Sequence, residues 1–111
     1  MNDFQTIFND IQSQVLSTAK EIGEEYRDAA VADGKKLLSE IRDDLERWIS
    51  LLASGAIKQN EFEWLVKSNK SLVKMTALKQ SGLAALRVKQ FSKSLLNTIV
   101  QASLQAAIAT R

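Results

Sequence analysis

Three carboxylates stand close enough in the sequence to suggest cation chemistry. Glu40, Asp43 and Asp44 occupy positions i, i+3 and i+4, which places them together on one face of a helix. Carboxylate oxygens are the ligands that calcium and magnesium prefer. However, Arg42 and Arg47 are interspersed, and the glycine-containing loop of a dedicated calcium site is absent. The cluster therefore indicates a solvated, salt-bridged face, and no metal site is predicted.

A run of basic side chains in the second half of the chain suggests anion binding. Its members are Lys67, Lys70, Lys74, Lys79, Arg87, Lys89 and Lys93. With Trp64 nearby, such a stripe can hold the phosphates of nucleic acid or of anionic lipid. The net charge of the chain is only +2, however, and arginine is scarce. We therefore expect a solvated face that the acidic first half partly neutralises, and we disfavour nucleic acid as a partner.

Chemistry that needs histidine or cysteine is excluded by composition. The 111 residues contain neither, and they contain no proline, so zinc fingers, haem and iron–sulfur ligation, thiol chemistry and disulfides are ruled out. Serines are plentiful, but no nucleophile elbow stands out among them. A serine–lysine dyad and a catalytic carboxylate pair stay open as alternatives. We predict no catalytic residue, no cofactor and no enzymatic activity.

The elements that position these side chains are predicted to be helices. Apolar residues recur at steps of three and four from Phe4 to Leu52, although the stripe thins between Tyr26 and Leu37, and this spacing is typical of an amphipathic helix. A second apolar run extends from Phe62 to Ala102. Gly55 follows the first run and supplies the left-handed residue that ends a helix. We predict an all-α, single helical domain over residues 1–111, with helices at about 3–53 and 59–109 and a turn at 54–58.

A short turn between long helices makes them antiparallel neighbours. The chain is therefore predicted to be an extended helical hairpin, each helix about 75 Å long at 1.5 Å per residue. Residues 1–55 carry a net charge of −5 and residues 56–111 a net charge of +7, which favours this alignment, although each exposed pair contributes little. Asp33-Gly34 and Ser81-Gly82 are weak points at which both helices can kink. A complete break at both would instead give a compact four-helix unit.

The segment around the turn resembles a known short motif. The matching residues are Gly55, Ile57, Glu61, Phe62 and Lys67. Together they resemble the SHOCT motif, a short helical hairpin common at bacterial C-termini, although Lys58 stands where that family usually has a capping threonine. The resemblance extends from Leu45 to Leu72, about a quarter of the chain. It implies a helical turn at this point and no activity.

Two helices share one seam, and this chain has more apolar surface than one seam covers. The excess lies at the open end of the hairpin, so we predict a homodimer in which two hairpins form a four-helix bundle. The residues assigned to this interface are Ile7, Phe8, Ile11, Leu95, Ile99 and Leu104. Trp48 and Trp64 flank the turn and are predicted to close its tip by packing; the alternative is an aromatic anchor for a partner.

These features favour a non-enzymatic helical interaction or scaffold protein that acts through self-association and binds a partner protein. The alternative is a membrane-surface or lipid-binding protein whose amphipathic ends, residues 1–16 and 95–108, lie on a bilayer. No apolar run approaches the length of a membrane span, and no signal-peptide pattern stands at the start. With no cysteine in the chain, the expected location is cytoplasmic.

Overall fold

A computed structural model describes residues 4–68 and 75–109 of the chain. Within these ranges the backbone forms five α-helices and no strand, so the all-α prediction is confirmed. The helices are α1 (Phe4–Lys20), α2 (Arg27–Ala53), α3 (Gln59–Ser68), α4 (Thr76–Gln80) and α5 (Ala85–Ala109). The molecule measures 43 × 24 × 18 Å. Its longest dimension is far below the length expected for an extended hairpin.

The first predicted helix is interrupted between α1 and α2. Gly23 lies in the connection after α1 and has a φ of +118°, a backbone conformation that residues other than glycine rarely adopt. A short 3-10 turn, Glu24–Tyr26, then leads into α2. The prediction of one continuous helix over 3–53 is therefore wrong at this point, because the chain reverses here and α2 folds back along α1.

The two predicted kink sites have different structures. Gly34 lies inside α2, and the helix continues through it without a break. The side of Gly34 that lacks a side chain faces Val15 and Ala19 of α1. The helices approach closely there. Gly82 has a φ of +90° and lies in the connection between α4 and α5, so a break does occur at this glycine. The second predicted helix is accordingly divided between α3, α4 and α5.

The turn between α2 and α3 occupies residues 54–58. Gly55 has a φ of +83°, and the Ala56 amide donates to the Leu51 carbonyl at 2.9 Å, which closes the end of α2. The backbone amide of Lys58 donates to the Glu61 carboxylate at 3.0 Å. This contact is one half of a capping box; it pairs the Lys58 amide, and the other half is missing because Lys58 lacks the hydroxyl of a threonine.

The core lies between α1, α2 and α5 and is completed by α3 and α4. α1 runs antiparallel to α2, since Arg42 hydrogen-bonds Gln5 while Gly34 lies beside Val15. The most deeply buried side chains follow the three- and four-residue steps of the sequence; they include Ile11, Val15, Leu37, Ile41, Leu45, Leu52, Phe62, Val66, Leu78, Leu95 and Ile99. Burying each such side chain stabilises the fold by about 1.5–3 kcal/mol.

α4 is held in place by an acidic residue of another helix. The carboxylate of Asp33 in α2 accepts hydrogen bonds from the Ala77 amide at 3.0 Å and the Leu78 amide at 2.8 Å. α4 has only five residues, and Met75 at its start makes no side-chain cap. Asp33 therefore caps α4 across the fold and satisfies first-turn amides that no residue of α4 itself reaches.

Candidate functional site

The six residues assigned to a dimer interface lie within the fold of one chain. Ile7, Phe8, Ile11, Leu95 and Ile99 are buried, and Leu104 is half-buried. α1 and α5 pack side by side, so the apolar ends of the chain cover each other. Because the five buried side chains already pack within their own chain, a second copy reaches those five only if the helices separate. The alternative of a bilayer surface relies on the apolar residues of α1 and α5, and most of these residues are buried in the same core.

The two tryptophans beside the turn have different surroundings. Trp48 is buried in the core on α2, whereas Trp64 on α3 is 67% exposed. Burial therefore accounts for Trp48 and not for Trp64. Trp64 lies in a shallow depression that is also lined by Ile57, Asn60, Glu61 and Leu65. These five residues are called the Trp64 surface below.

Lysines from three helices line a second depression, which we call the lysine groove. Its lining consists of Lys67, Lys79, Ala85, Val88, Lys89, Ser92, Lys93 and Leu96. The sequence presented these lysines as one stripe along a helix, but the break between α4 and α5 brings them together from α3, α4 and α5. Lys70 and Lys74 lie outside the described residues. Arg87 turns away, and its guanidinium donates to the Ile22 carbonyl at 3.4 Å.

The floor of the lysine groove is apolar. Val88 is buried and Leu96 is half-buried, while the Ser92 hydroxyl donates to the Val88 carbonyl at 3.1 Å and is occupied within the helix. These floor residues were not singled out from the sequence. The sequence could have indicated them, because Val88 and Leu96 are near Lys89 and Lys93 at helical spacing, so one face of α5 is both apolar and basic.

Little of the groove's positive charge is neutralised. Among residues 4–68 and 75–109, the ion pairs are Arg42–Asp43 at 3.5 Å, Arg47–Asp44 at 2.9 Å and Lys67–Glu63 at 2.7 Å. None of them joins a lysine of the groove to a carboxylate of the acidic first half. The expectation that the first half neutralises the stripe by direct pairing does not hold for these lysines.

The carboxylate cluster on α2 is a salt-bridged surface. Asp43 and Asp44 pair with the neighbouring arginines, and Asp43 is almost fully exposed. In the part of the chain that the structure describes, no group of three acidic residues is placed to hold a metal ion. The cluster stabilises the α2 surface modestly.

A third depression between α1 and α5 is lined entirely by uncharged polar side chains. They are Ser13, Gln14, Ser17, Thr18, Asn97, Thr98 and Gln101. The hydroxyls of Thr18 and Thr98 hydrogen-bond each other at 3.1 Å, which ties α1 to α5. One turn further along α5, the hydroxyl of Ser103 is fully buried and has no hydrogen-bond partner among the described residues. The depression supplies no charge and no nucleophile–base pair.

Comparison with known proteins assigns no family to the chain. No family model, no curated protein and no solved structure matches it. The resemblance to the SHOCT motif therefore stays a prediction that rests on the turn residues. Within the described residues, no helix combines the length and the apolar character needed to cross a bilayer.

Proposed function

We propose that this chain is a non-enzymatic helical interaction domain that forms a homodimer through the Trp64 surface. The observation that carries the proposal is the exposure of Trp64, a large apolar side chain flanked by the half-buried Ile57 and Leu65. Tryptophan is enriched among the residues that dominate the energy of protein interfaces. Covering this ring removes apolar surface that the chain itself leaves in water.

The charges of α3 favour a second copy of the chain as the occupant. Glu61 stands three residues before Trp64, and Lys67 stands three residues after it. A two-fold contact is self-complementary, so two antiparallel α3 helices that meet at Trp64 bring Glu61 of each copy to the level of Lys67 of the other. Lys67 contacts Glu63 within its own chain, but an exposed pair of this kind is weak and exchanges readily.

The proposed contact differs from the interface predicted from the sequence. The homodimer is still proposed, but its contact lies on α3 and the turn before it and not at the ends of α1 and α5. This location leaves the core intact, whereas a dimer through Ile11 or Ile99 requires the core to open. Binding of a partner protein then uses a surface other than the Trp64 surface.

Light scattering coupled to size exclusion tests the proposal. We expect the unaltered chain to have twice its 12.4 kDa mass at high concentration. Trp64→Glu is expected to give a monomer with unchanged helicity by circular dichroism. Leu86→Glu is the matched control, because Leu86 is 66% exposed but lies outside the Trp64 surface, and it should stay dimeric. An unaltered chain that is monomeric, or a Trp64→Glu dimer, refutes the proposal.

Charge reversal distinguishes the two-fold arrangement from other contacts at Trp64. Lys67→Glu places like charges opposite each other twice in the dimer, so we expect weaker association. The double variant Glu61→Lys/Lys67→Glu restores opposite charges across the contact and should recover part of the dimer. Because Glu61 also accepts the Lys58 amide at the start of α3, the helicity of the double variant is checked by circular dichroism. If the double variant keeps the helicity of the unaltered chain and still dissociates as much as Lys67→Glu does, the antiparallel α3 contact is wrong.

A further inference from the structure

We infer that the lysine groove binds an acidic amphipathic helix of a partner protein, with carboxylates of that helix on the lysines and its apolar side on the floor. The lysine groove shares no lining residue with the Trp64 surface, although Lys67 of the groove also belongs to the proposed dimer contact. Positive charge and apolar side chains coincide in this groove.

The charge of the groove points to an anionic partner. Lys79, Lys89 and Lys93 have no ion-pair partner among the described residues, and Lys67 pairs only with Glu63. Four lysines that face one depression create a positive potential that attracts a polyanion and accelerates its association. The whole chain has a net charge of only +2, so the attraction is local to this groove.

The shape of the groove favours a helix. The floor follows α5 from Ala85 to Leu96, which corresponds to about 16 Å of helix, or three turns. Lys89 and Lys93 are one turn apart on α5, so they form a row along one side of the floor. Lysines from α3 and α4 belong to the same lining. An amphipathic helix that lies in a groove presents apolar residues at i, i+3 and i+4, and flanking glutamates then reach the lysines.

The lining is less suited to nucleic acid. Among the described residues it contains no aromatic side chain on which a base can stack and no arginine that can bind a phosphate with two hydrogen bonds. The polar side chain between the lysines, Ser92, already donates within its helix. Positive charge on an apolar floor matches carboxylates on an apolar helix better than it matches a sugar–phosphate backbone.

Fluorescence anisotropy with designed peptides tests the inference. The probe is a labelled helical peptide of about 18 residues, long enough to be helical, with a leucine stripe flanked by glutamates at i and i+4. Two matched peptides replace either all glutamates by glutamine or all leucines by serine. We expect binding at about 0.15 M salt that weakens as salt is added, and both matched peptides should bind at least about tenfold more weakly.

Variants of the chain locate the binding site. Lys89→Glu/Lys93→Glu is expected to weaken binding of the acidic peptide by at least about tenfold. Lys35→Glu/Lys36→Glu makes the same change of charge on exposed residues of α2 and should change the affinity less than about threefold. Trp64→Glu should leave the affinity unchanged, so a failed dimer proposal and a failed groove proposal give different results.

Three outcomes overturn the inference. The first is equal weakening by both double variants, which means that binding follows overall charge. The second is equal binding of the leucine and serine peptides, which means that the floor takes no part. The third is failure of the acidic peptide to bind; binding of a single-stranded oligonucleotide or of phosphatidylserine vesicles that depends on Lys89 and Lys93 would then identify the ligand class instead.

Discussion

Removal of the Asp33 carboxylate is predicted to cause a large loss of stability. Asp33 is only 5% exposed, and its two carboxylate oxygens accept the amides of Ala77 and Leu78 at 3.0 and 2.8 Å. Asp33→Ala leaves both amides without this acceptor at the start of a five-residue helix. Leu78 is fully buried, so water cannot replace the carboxylate at its amide without opening the core.

The expected magnitude follows from the two contacts. Loss of an N-cap typically costs about 0.5–2 kcal/mol, and a buried donor left unpaired costs about 1–3 kcal/mol. The two amides share one carboxylate, so the losses overlap, and we expect Asp33→Ala to lower the free energy of unfolding by about 2–4 kcal/mol. Asp33→Asn keeps the shape and one acceptor oxygen, so we expect a loss of about 1–2 kcal/mol.

Urea denaturation followed by circular dichroism measures both variants, provided that unfolding is two-state. The matched control is Asp43→Ala, which removes the same side chain from the same helix at a position that is 93% exposed. That change is expected to stay within about 0.5 kcal/mol of the unaltered chain. If Asp33→Ala destabilises the chain no more than Asp43→Ala does, the capping of α4 by α2 is refuted.

Two further substitutions are expected to stabilise the protein. Gly34→Ala adds a methyl group at 3.7 Å from Val15 Cγ1, which is ordinary contact distance, and it removes the entropic cost of a glycine in a helix. We expect a gain of about 0.5–1 kcal/mol and a higher melting temperature, whereas a lower one means that α1 and α2 leave no room for the methyl group. Ser103→Ala deletes a buried hydroxyl without a hydrogen-bond partner among the described residues; we expect a gain of about 1 kcal/mol in urea denaturation, and a loss shows that the hydroxyl is satisfied in solution.

Local pattern was sufficient to predict the helical content and much of the core. The steps of three and four that run through Ile11, Leu45 and Ile99 belong to residues that are buried in the structure, because the period of a helix alone decides which residues share a face. The turn after Ala53 was equally readable, since Gly55 adopts the left-handed conformation that an αL cap requires.

Local pattern could not show that the chain reverses at Gly23 and not at another glycine. Asp33-Gly34 looks like a stronger turn signal than Ile22-Gly23, yet Gly34 is helical and Gly23 is not. The difference is tertiary: Gly34 lies against Val15 of α1, and Asp33 is held by the amides of α4. A glycine permits a break without requiring one, so the packing partner decides which glycine breaks.

For the candidate sites, too, local pattern predicted some features and tertiary packing decided the others. The sequence offered Trp48 and Trp64 together as an aromatic anchor, and the lysines as an anion-binding stripe, only as alternatives to structural interpretations. Burial of Trp48 and exposure of Trp64 separate two tryptophans that look alike in the sequence. The residues chosen for the dimer interface lie in or against the core of one chain, and five of the six are buried there.

By itself, the sequence determined that the protein is all-α, that it contains no histidine or cysteine chemistry, and which residues share each helix face. These properties depend on composition and on a period of 3.6 residues, both of which are local. Only the tertiary structure decided where the helices end, which apolar faces cover each other, and which lysines converge on one groove. Those outcomes depend on contacts between residues far apart in the chain. The free energy of such contacts cannot be read from any one segment of the sequence.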